Sequence, residues 1–243
     1  MRPDAVRHAL DAELAAARAR RGGEPPRVLD VGGGSGVLAV PFAAAGCAVT
    51  VVEPNPNALA TLSRRAQDAG VRVNAVQADS DALGQVVPAG SADLVLAHGL
   101  LEVVDDPKLT VAAIVEALAP GGAVSVLVAN RMAALLHGAV AGRLTEAARL
   151  AEDPEGRLPG ESLLRRYDTD GLLALLTDAG LTVELVQGQS VLTDLVPGSV
   201  QSAAGAAEAL ADLELRVAGL APLRDIATRL HAVARRPKIV GAV

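Results

Sequence analysis

The sequence predicts an α/β protein built on a mostly parallel sheet, and three observations point there. Strand and helix patterns alternate through the first half of the chain. The strand segments are continuous Val/Leu runs, as in strands covered on both faces. The first of them runs into a glycine loop, Gly32-Gly33-Gly34-Ser35-Gly36, which leads into a helix.

The elements follow in order. Val6, Leu10 and Leu14 place apolar side chains at helical spacing over 4–20. Arg27-Val28-Leu29-Asp30-Val31 is a short buried strand, and a helix is expected over about 37–45. Ala48 to Glu53 is the second strand, Asn57 to Ala69 a helix and Val71 to Gln77 the third strand. Ala92-Asp93-Leu94-Val95-Leu96-Ala97 is the fourth strand, with a helix over 107–118. Pro120-Gly121-Gly122 reads as a turn before a fifth strand, Ala123 to Ala129. The rhythm then changes. Residues 131–149 read as helical and 151–168 as an irregular charged stretch. Thr169 to Ala179 is a helix, Thr182 to Gly188 a strand, 203–217 a helix and Arg229 to Arg236 a final strand. Seven strands with helices on both faces make a Rossmann-like arrangement. The break at about 130–168 is expected to be an insertion over the carboxyl edge of the sheet in a single domain spanning 1–243.

Composition narrows the function. The chain has 243 residues, of which 51% are hydrophobic and 21% charged, too apolar for intrinsic disorder. No uncharged apolar run reaches the ~18 residues of a membrane-spanning helix. The start leads into a charged amphipathic stretch and not a secretory signal, and, with the first helix so close to it, no leader is expected. A net charge of -6 argues against nucleic-acid binding by bulk charge. Phe42 and Tyr167 are the only aromatic residues, too few for a base-stacking sheet. Cys47 is alone and reads as a small buried hydrophobe, and no Cys/His spacing suggests a metal. A reducing compartment, the cytoplasm, is expected.

The glycine loop is the most informative stretch. It lets backbone approach a ligand at the carboxyl edge of the sheet. It differs from the dinucleotide fingerprint G-x-G-x-x-G/A, because Val37 stands at the last position. Asp30, two residues ahead of the glycines, suits a ligand carrying positive charge better than a pyrophosphate. Glu53 ends the second strand, where an acid accepts hydrogen bonds from a ribose diol. Such a charged hydrogen bond contributes about 1.5–3 kcal/mol. Asp79 ends the third strand, where it and Ser80 either read an adenine edge or cap the next short helix.

Val28-Leu29-Asp30-Val31-Gly32-Gly33-Gly34-Ser35-Gly36, Glu53, Asp79, Ala92-Asp93-Leu94-Val95-Leu96, the run from His98 to Pro107 and Leu118-Ala119-Pro120-Gly121-Gly122 together resemble class I S-adenosylmethionine-dependent methyltransferases. The resemblance implies that Gly32, Gly33, Gly34 and Gly36 line the methionine part of S-adenosylmethionine and that Asp30 orients the loop or the ammonium. It implies that Glu53 binds the ribose, that Asp79 and Ser80 flank the adenine, and that His98 faces the cofactor. The His98 run, Ala129 to Gly142 and the ending Leu230 to Pro237 are most similar to the tRNA 5-carboxymethoxyuridine methyltransferase family, which places Arg7 near the cofactor carboxylate. The aromatic residues of that family's active-site segments are missing here.

The methyl of a sulfonium is already activated, so the enzyme has mainly to align a nucleophile and exclude water. A carboxylate nucleophile is ionised at pH 7 and needs no base, but wants an arginine clamp. Arg131, Arg165 and Arg166, with Tyr167 beside them, are the candidates. A phenol, amine or hydroxyl would use His98 as base. Composition favours a small acceptor, the resemblance a tRNA wobble-uridine carboxylate, and both stay open. The alternatives are a cofactor-binding protein without transfer activity and, less favoured, a nicotinamide-dependent dehydrogenase. Oligomeric state is not legible.

Overall fold

A computed structural model describes residues 4–203 and 205–238. Asp4 caps the first helix, α1 (Ala5–Arg20), by accepting from the Arg7 N–H at 2.8 Å. There follow β1 (Arg27–Val31), α2 (Ala39–Ala44), β2 (Ala48–Val52), α3 (Pro56–Asp68) and β3 (Asn74–Val76). A 3-10 turn (Ser80–Ala82) leads into α4 (Leu83–Val86), β4 (Ala92–His98), α5 (Pro107–Ala117) and β5 (Leu118–Ala129). Next come α6 (Arg131–Val140), α7 (Leu144–Glu152), α8 (Thr169–Asp178) and β6 (Thr182–Gln189). The chain continues through α9 (Gly198–Gln201), α10 (Ala206–Val217), a 3-10 turn (Arg224–Ile226) and β7 (Arg229–Arg235).

The seven strands form one sheet in the order β3-β2-β1-β4-β5-β7-β6. All pairs are parallel except those of β7, which runs antiparallel to β5 and β6. The order reverses between β1 and β4, so the crevice of this sheet opens at the carboxyl ends of those two strands.

Strand alternation divides the core in two. Leu29, Val31, Val95, Ala97, Val124, Val126 and Val128 face Ile114 of α5 and Leu172 and Leu176 of α8. Val28, Leu94, Leu96, Leu127 and Val233 face Leu10, Phe42 and Leu62, on α1, α2 and α3. Cys47 is buried in this second layer, as a small hydrophobe would be.

Several boundaries differ from expectation. β3 is three residues long because Val71 N–H closes the end of α3 on the Ala66 carbonyl at 2.9 Å, which takes 71–73 out of the ladder. The Pro120-Gly121-Gly122 turn lies inside β5 as a bulge: Ala92 pairs Leu118 and Leu94 pairs Ala123. Gly121 takes φ +77°, and a Cβ on Gly122 would stand 2.9 Å from the Ala119 carbonyl oxygen. The helical stretch 131–149 breaks into α6 and α7 at Gly142, φ +76°. The helix expected over 203–217 starts at Ala206, and Ala204 lies outside the described residues. Segment 131–168 leaves the sheet after β5 and returns beside it, where Asn130 and Tyr167 form a parallel bridge.

Candidate active site

The glycine loop turns sharply at the end of β1. Gly32, Gly34 and Gly36 have φ of +70°, +54° and +76°. A Cβ on Gly33 would lie 2.6 Å from the Asp30 carboxyl, and one on Gly36 2.2 Å from Leu62 Cδ1. Those glycines are therefore required by packing. Gly34 has open space above it, and its N–H donates to Glu53 Oε2 at 3.0 Å. Glu53 Oε1 accepts from the Asn55 N–H at 2.9 Å, so the carboxylate is fixed between the loop and the start of α3. Val37, the departure from the dinucleotide fingerprint, is exposed to solvent.

Asp30 lies under Gly33, with 4% of its surface exposed. Burial, with the Glu53 charge adding to it, raises its pKa to about 7. A carboxyl so placed gains from any cation brought to the loop. Asp79 caps the 3-10 turn and accepts from Ser80 Oγ at 3.1 Å.

Gly32, Glu53, Asp79 and Ser80 line one cleft of about 310 Å³. Its other wall is Gly99 to Asp105, the loop after β4, with Leu100 and Val103 as the aliphatic surface. The resemblance assigns Leu100 and Val103 no role, yet apolar residues just past a strand's carboxyl end are a sequence signal for a pocket wall. Open space over Gly34, a carboxylate at the mouth and a buried acid beneath the loop fit a cationic nucleoside such as S-adenosylmethionine.

His98 ends β4, one residue before that wall. Its Nε2 lies 2.8 Å from Ser125 Oγ, which is 2.7 Å from His231 Nε2. Gln187 Nε2 stands 2.9 Å from His231 Nδ1. Burial and the neighbouring His231 and Arg229 hold the His98 pKa to about 3, and burial holds that of His231 to about 4. Both rings are neutral at pH 7. Ser125, His231 and Gln187 were missed by sequence reasoning; polar residues on inward-facing strand positions were the available signal.

Arg7 sits on α1, paired with Asp11 at 2.9 Å and with its guanidinium 5.0 Å from the centre of the Phe42 ring. The arginines considered for an acceptor clamp are occupied within the protein. Arg131 pairs with Asp168 at 2.6 Å, and Arg166 with Glu161 at 2.6 Å and the Gly156 carbonyl at 2.7 Å. Arg165 donates to the carbonyls of Leu101, Val104 and Asp105. Tyr167 is buried and donates to the Leu101 carbonyl at 3.2 Å, and burial pushes its phenol up. Arg165, Arg166 and Tyr167 line an adjoining groove of about 580 Å³ that meets the first cleft at Asp105. Arg131 lines neither.

A family profile described as "Methyltransferase domain" matches residues 5–186. The chain belongs to this methyltransferase family. It is 28% identical over 226 residues to the tRNA 5-carboxymethoxyuridine methyltransferase of Escherichia coli (strain K12), spanning 90% of this chain and 84% of the relative. It is 34% identical over 163 residues to the ubiquinone biosynthesis O-methyltransferase of Xanthomonas axonopodis pv. citri (strain 306), spanning 67% and 65%. An S-adenosylmethionine dependent methyltransferase from Mesorhizobium loti has the same fold, with a TM-score of 0.63 and 18% identity over 96% of this chain and 98% of that one. The protein is an S-adenosylmethionine-dependent methyltransferase of class I, and the sheet order described above is the frame on which its site is built.

Proposed function

We propose that the cleft between the glycine loop and the loop after β4 holds S-adenosylmethionine, with Glu53 on the ribose hydroxyls, Asp79 and Ser80 beside the adenine, and Asp30 under the methionine end. The observation that carries this is the convergence of Glu53, Asp79, Ser80 and Gly32 on one cleft at the strand-order switch. Gly33, Gly34 and Gly36 shape the loop, and Arg7, on the helix packed against Phe42, is assigned to the cofactor carboxylate. The cofactor supplies an activated methyl on a sulfonium, and the protein's part is to fix the acceptor and exclude water. Leu100 and Val103 provide the apolar wall that does the latter.

The acceptor is a small molecule. Phe42 is fully buried and Tyr167 is 9% exposed, so neither ring of this chain is available to stack on a splayed base. Segment 130–168 is assigned as the cover of the acceptor side, with Arg166 and Tyr167 on its inner groove. There Arg166 acts through its ion pair as a fixed wall, not as a free clamp, and Arg131, outside the groove, is held by Asp168. The second reading, a tRNA carboxylate, is favoured by the likeness to the tRNA methyltransferase. We place the protein in the cytoplasm, in keeping with its one unpaired, buried cysteine. Among the described residues no helix is long and apolar enough to cross a membrane.

Transfer of tritiated methyl to a small-metabolite extract, with bulk tRNA as the parallel arm, tests this. Counts in the metabolite fraction are expected. Counts confined to tRNA would overturn the small-acceptor assignment, and none in either would leave a cofactor-binding protein.

A further inference from the structure

On the α1 face of the sheet, His98, Leu127, His231 and Gln187 occupy one rung across β4, β5, β7 and β6. Ser125 is two residues ahead of Leu127 on the same face and bridges the two histidines diagonally. Around them the layer is aliphatic: Leu94, Leu96, Ala123, Leu127, Val233 and Leu185. Packing alone would fill these positions with Val or Leu at no hydrogen-bonding cost, whereas burying a polar group demands a partner for each donor and acceptor.

We propose that Gln187, His231 and Ser125 form a directional hydrogen-bond chain that fixes His98 as its Nδ1–H tautomer, so that His98 meets the ligand as a hydrogen-bond donor and not as a base. The direction is set at the amide end. Gln187 Nε2 carries only N–H, so His231 Nδ1 must accept from it. A neutral imidazole has one N–H, which then lies on His231 Nε2 and donates to Ser125 Oγ. Ser125 is fully buried, and among the described residues its hydroxyl has the two histidines as side-chain partners. Its O–H therefore donates to His98 Nε2. The ring proton of His98 is left on Nδ1. His98 keeps part of its surface exposed and adjoins Gly99, which lines the cofactor cleft, and the Arg229 charge stands nearby. An imidazole N–H beside a cationic side chain receives an oxygen lone pair. It does not take a proton from one.

Gln187, His231 and Ser125 are then positioning residues for a contact that His98 makes. That contact rests on the cleft being the methyl-transfer site, whereas the tautomer itself does not. If the chain holds, the acceptor reaches the site with its nucleophile already unprotonated, because the one histidine at the carboxyl edge of β4 has no free nitrogen lone pair to offer it.

The chain contains four histidines, His8, His98, His137 and His231, so the 15N-histidine-labelled full-length protein gives few ring signals. Two-bond proton–nitrogen correlation separates protonated from bare ring nitrogens, and His98→Asn identifies the His98 pair. The expected wild-type result is a protonated Nδ1 and bare Nε2 for His98, with the reverse for His231. Ser125→Ala should release this preference and Ser125→Thr restore it. Gln187→Leu should also alter the His98 pattern, from three side chains away, which a merely space-filling residue would not do. A wild-type His98 protonated on Nε2 would overturn the proposal without any variant, and so would a His98 pattern unchanged in Ser125→Ala. Thermal denaturation with S-adenosylmethionine, run on the same sample, separates the two failures. No stabilisation there would refute the cofactor cleft while leaving the tautomer result standing.

Discussion

Asp30→Asn tests the electrostatics of the glycine loop. The Asp30 carboxyl has a pKa of about 7 in the fold against an ordinary 3.8, because burial and the Glu53 charge disfavour its ionised form. A raised carboxyl pKa means that the folded protein keeps a proton the unfolded chain has lost. The resulting penalty is absent below the unfolded pKa, grows as pH rises from about 4 to 7, and is complete above that. Three pKa units at ~1.4 kcal/mol each put its upper limit at about 4 kcal/mol. Asn has nearly the same shape and no charge to desolvate. Its own packing and hydrogen-bonding change is a constant offset, so the informative quantity is the slope. Urea unfolding of wild type and Asp30→Asn between pH 5 and pH 8.5 should show the variant gaining on wild type by roughly 2–4 kcal/mol across that window. In the same variant the stabilisation added by S-adenosylmethionine should fall, because the carboxylate no longer faces the cationic end of the ligand. A difference in stability that does not change with pH would refute the account of Asp30.

The loop glycines separate packing from backbone strain. Gly36→Ala should cost roughly 2–4 kcal/mol in urea unfolding, since its Cβ would meet Leu62 at 2.2 Å at a φ of +76°. Gly34→Ala, with open space and only its φ of +54° against it, should cost about 1 kcal/mol. Cys47 is buried and its thiol pKa is raised by that burial, so a thiol-reactive dye should label it only when the protein unfolds. Tyr167→Phe should lower stability by about 1 kcal/mol, and little more, because the Leu101 carbonyl keeps the Arg165 guanidinium as a donor.

The parallel core was legible because its strands carry an unmistakable local signal. Val28 to Val31, Val49 to Val52 and Leu94 to Leu96 are apolar on both faces except at Asp30 and Thr50, and Asp30 lies directly under the glycine loop. That Glu53 and Asp79 would meet at one cleft was legible too: both are acids at the carboxyl ends of adjacent strands, and strand ends in a parallel sheet converge. Register and side-chain direction were not. Nothing local says that the Pro120-Gly122 turn is a bulge within β5, because the bulge is defined by its pairing with Ala92 and Leu94. Arg131, Arg166 and Tyr167 could be placed near one another from sequence. Asp168 and Glu161 become partners through how the 131–168 segment folds back on itself, and the Leu101 carbonyl through how that segment docks on the loop after β4. The Ser125–His231 pair joins residues 106 apart, through an antiparallel strand that enters the sheet last. No periodicity carries that contact.

The central claim is that Glu53 holds the ribose of S-adenosylmethionine in the cleft at the end of β1. Calorimetric titration of S-adenosylhomocysteine into wild type and Glu53→Ala tests it most directly, with NAD as the control titrant. One charge-assisted hydrogen bond at about 1.5–3 kcal/mol corresponds to a loss of roughly 10- to 150-fold in affinity, and the account predicts that loss, with no heat from NAD. Equal affinity in Glu53→Ala, or NAD binding in place of S-adenosylhomocysteine, would contradict it.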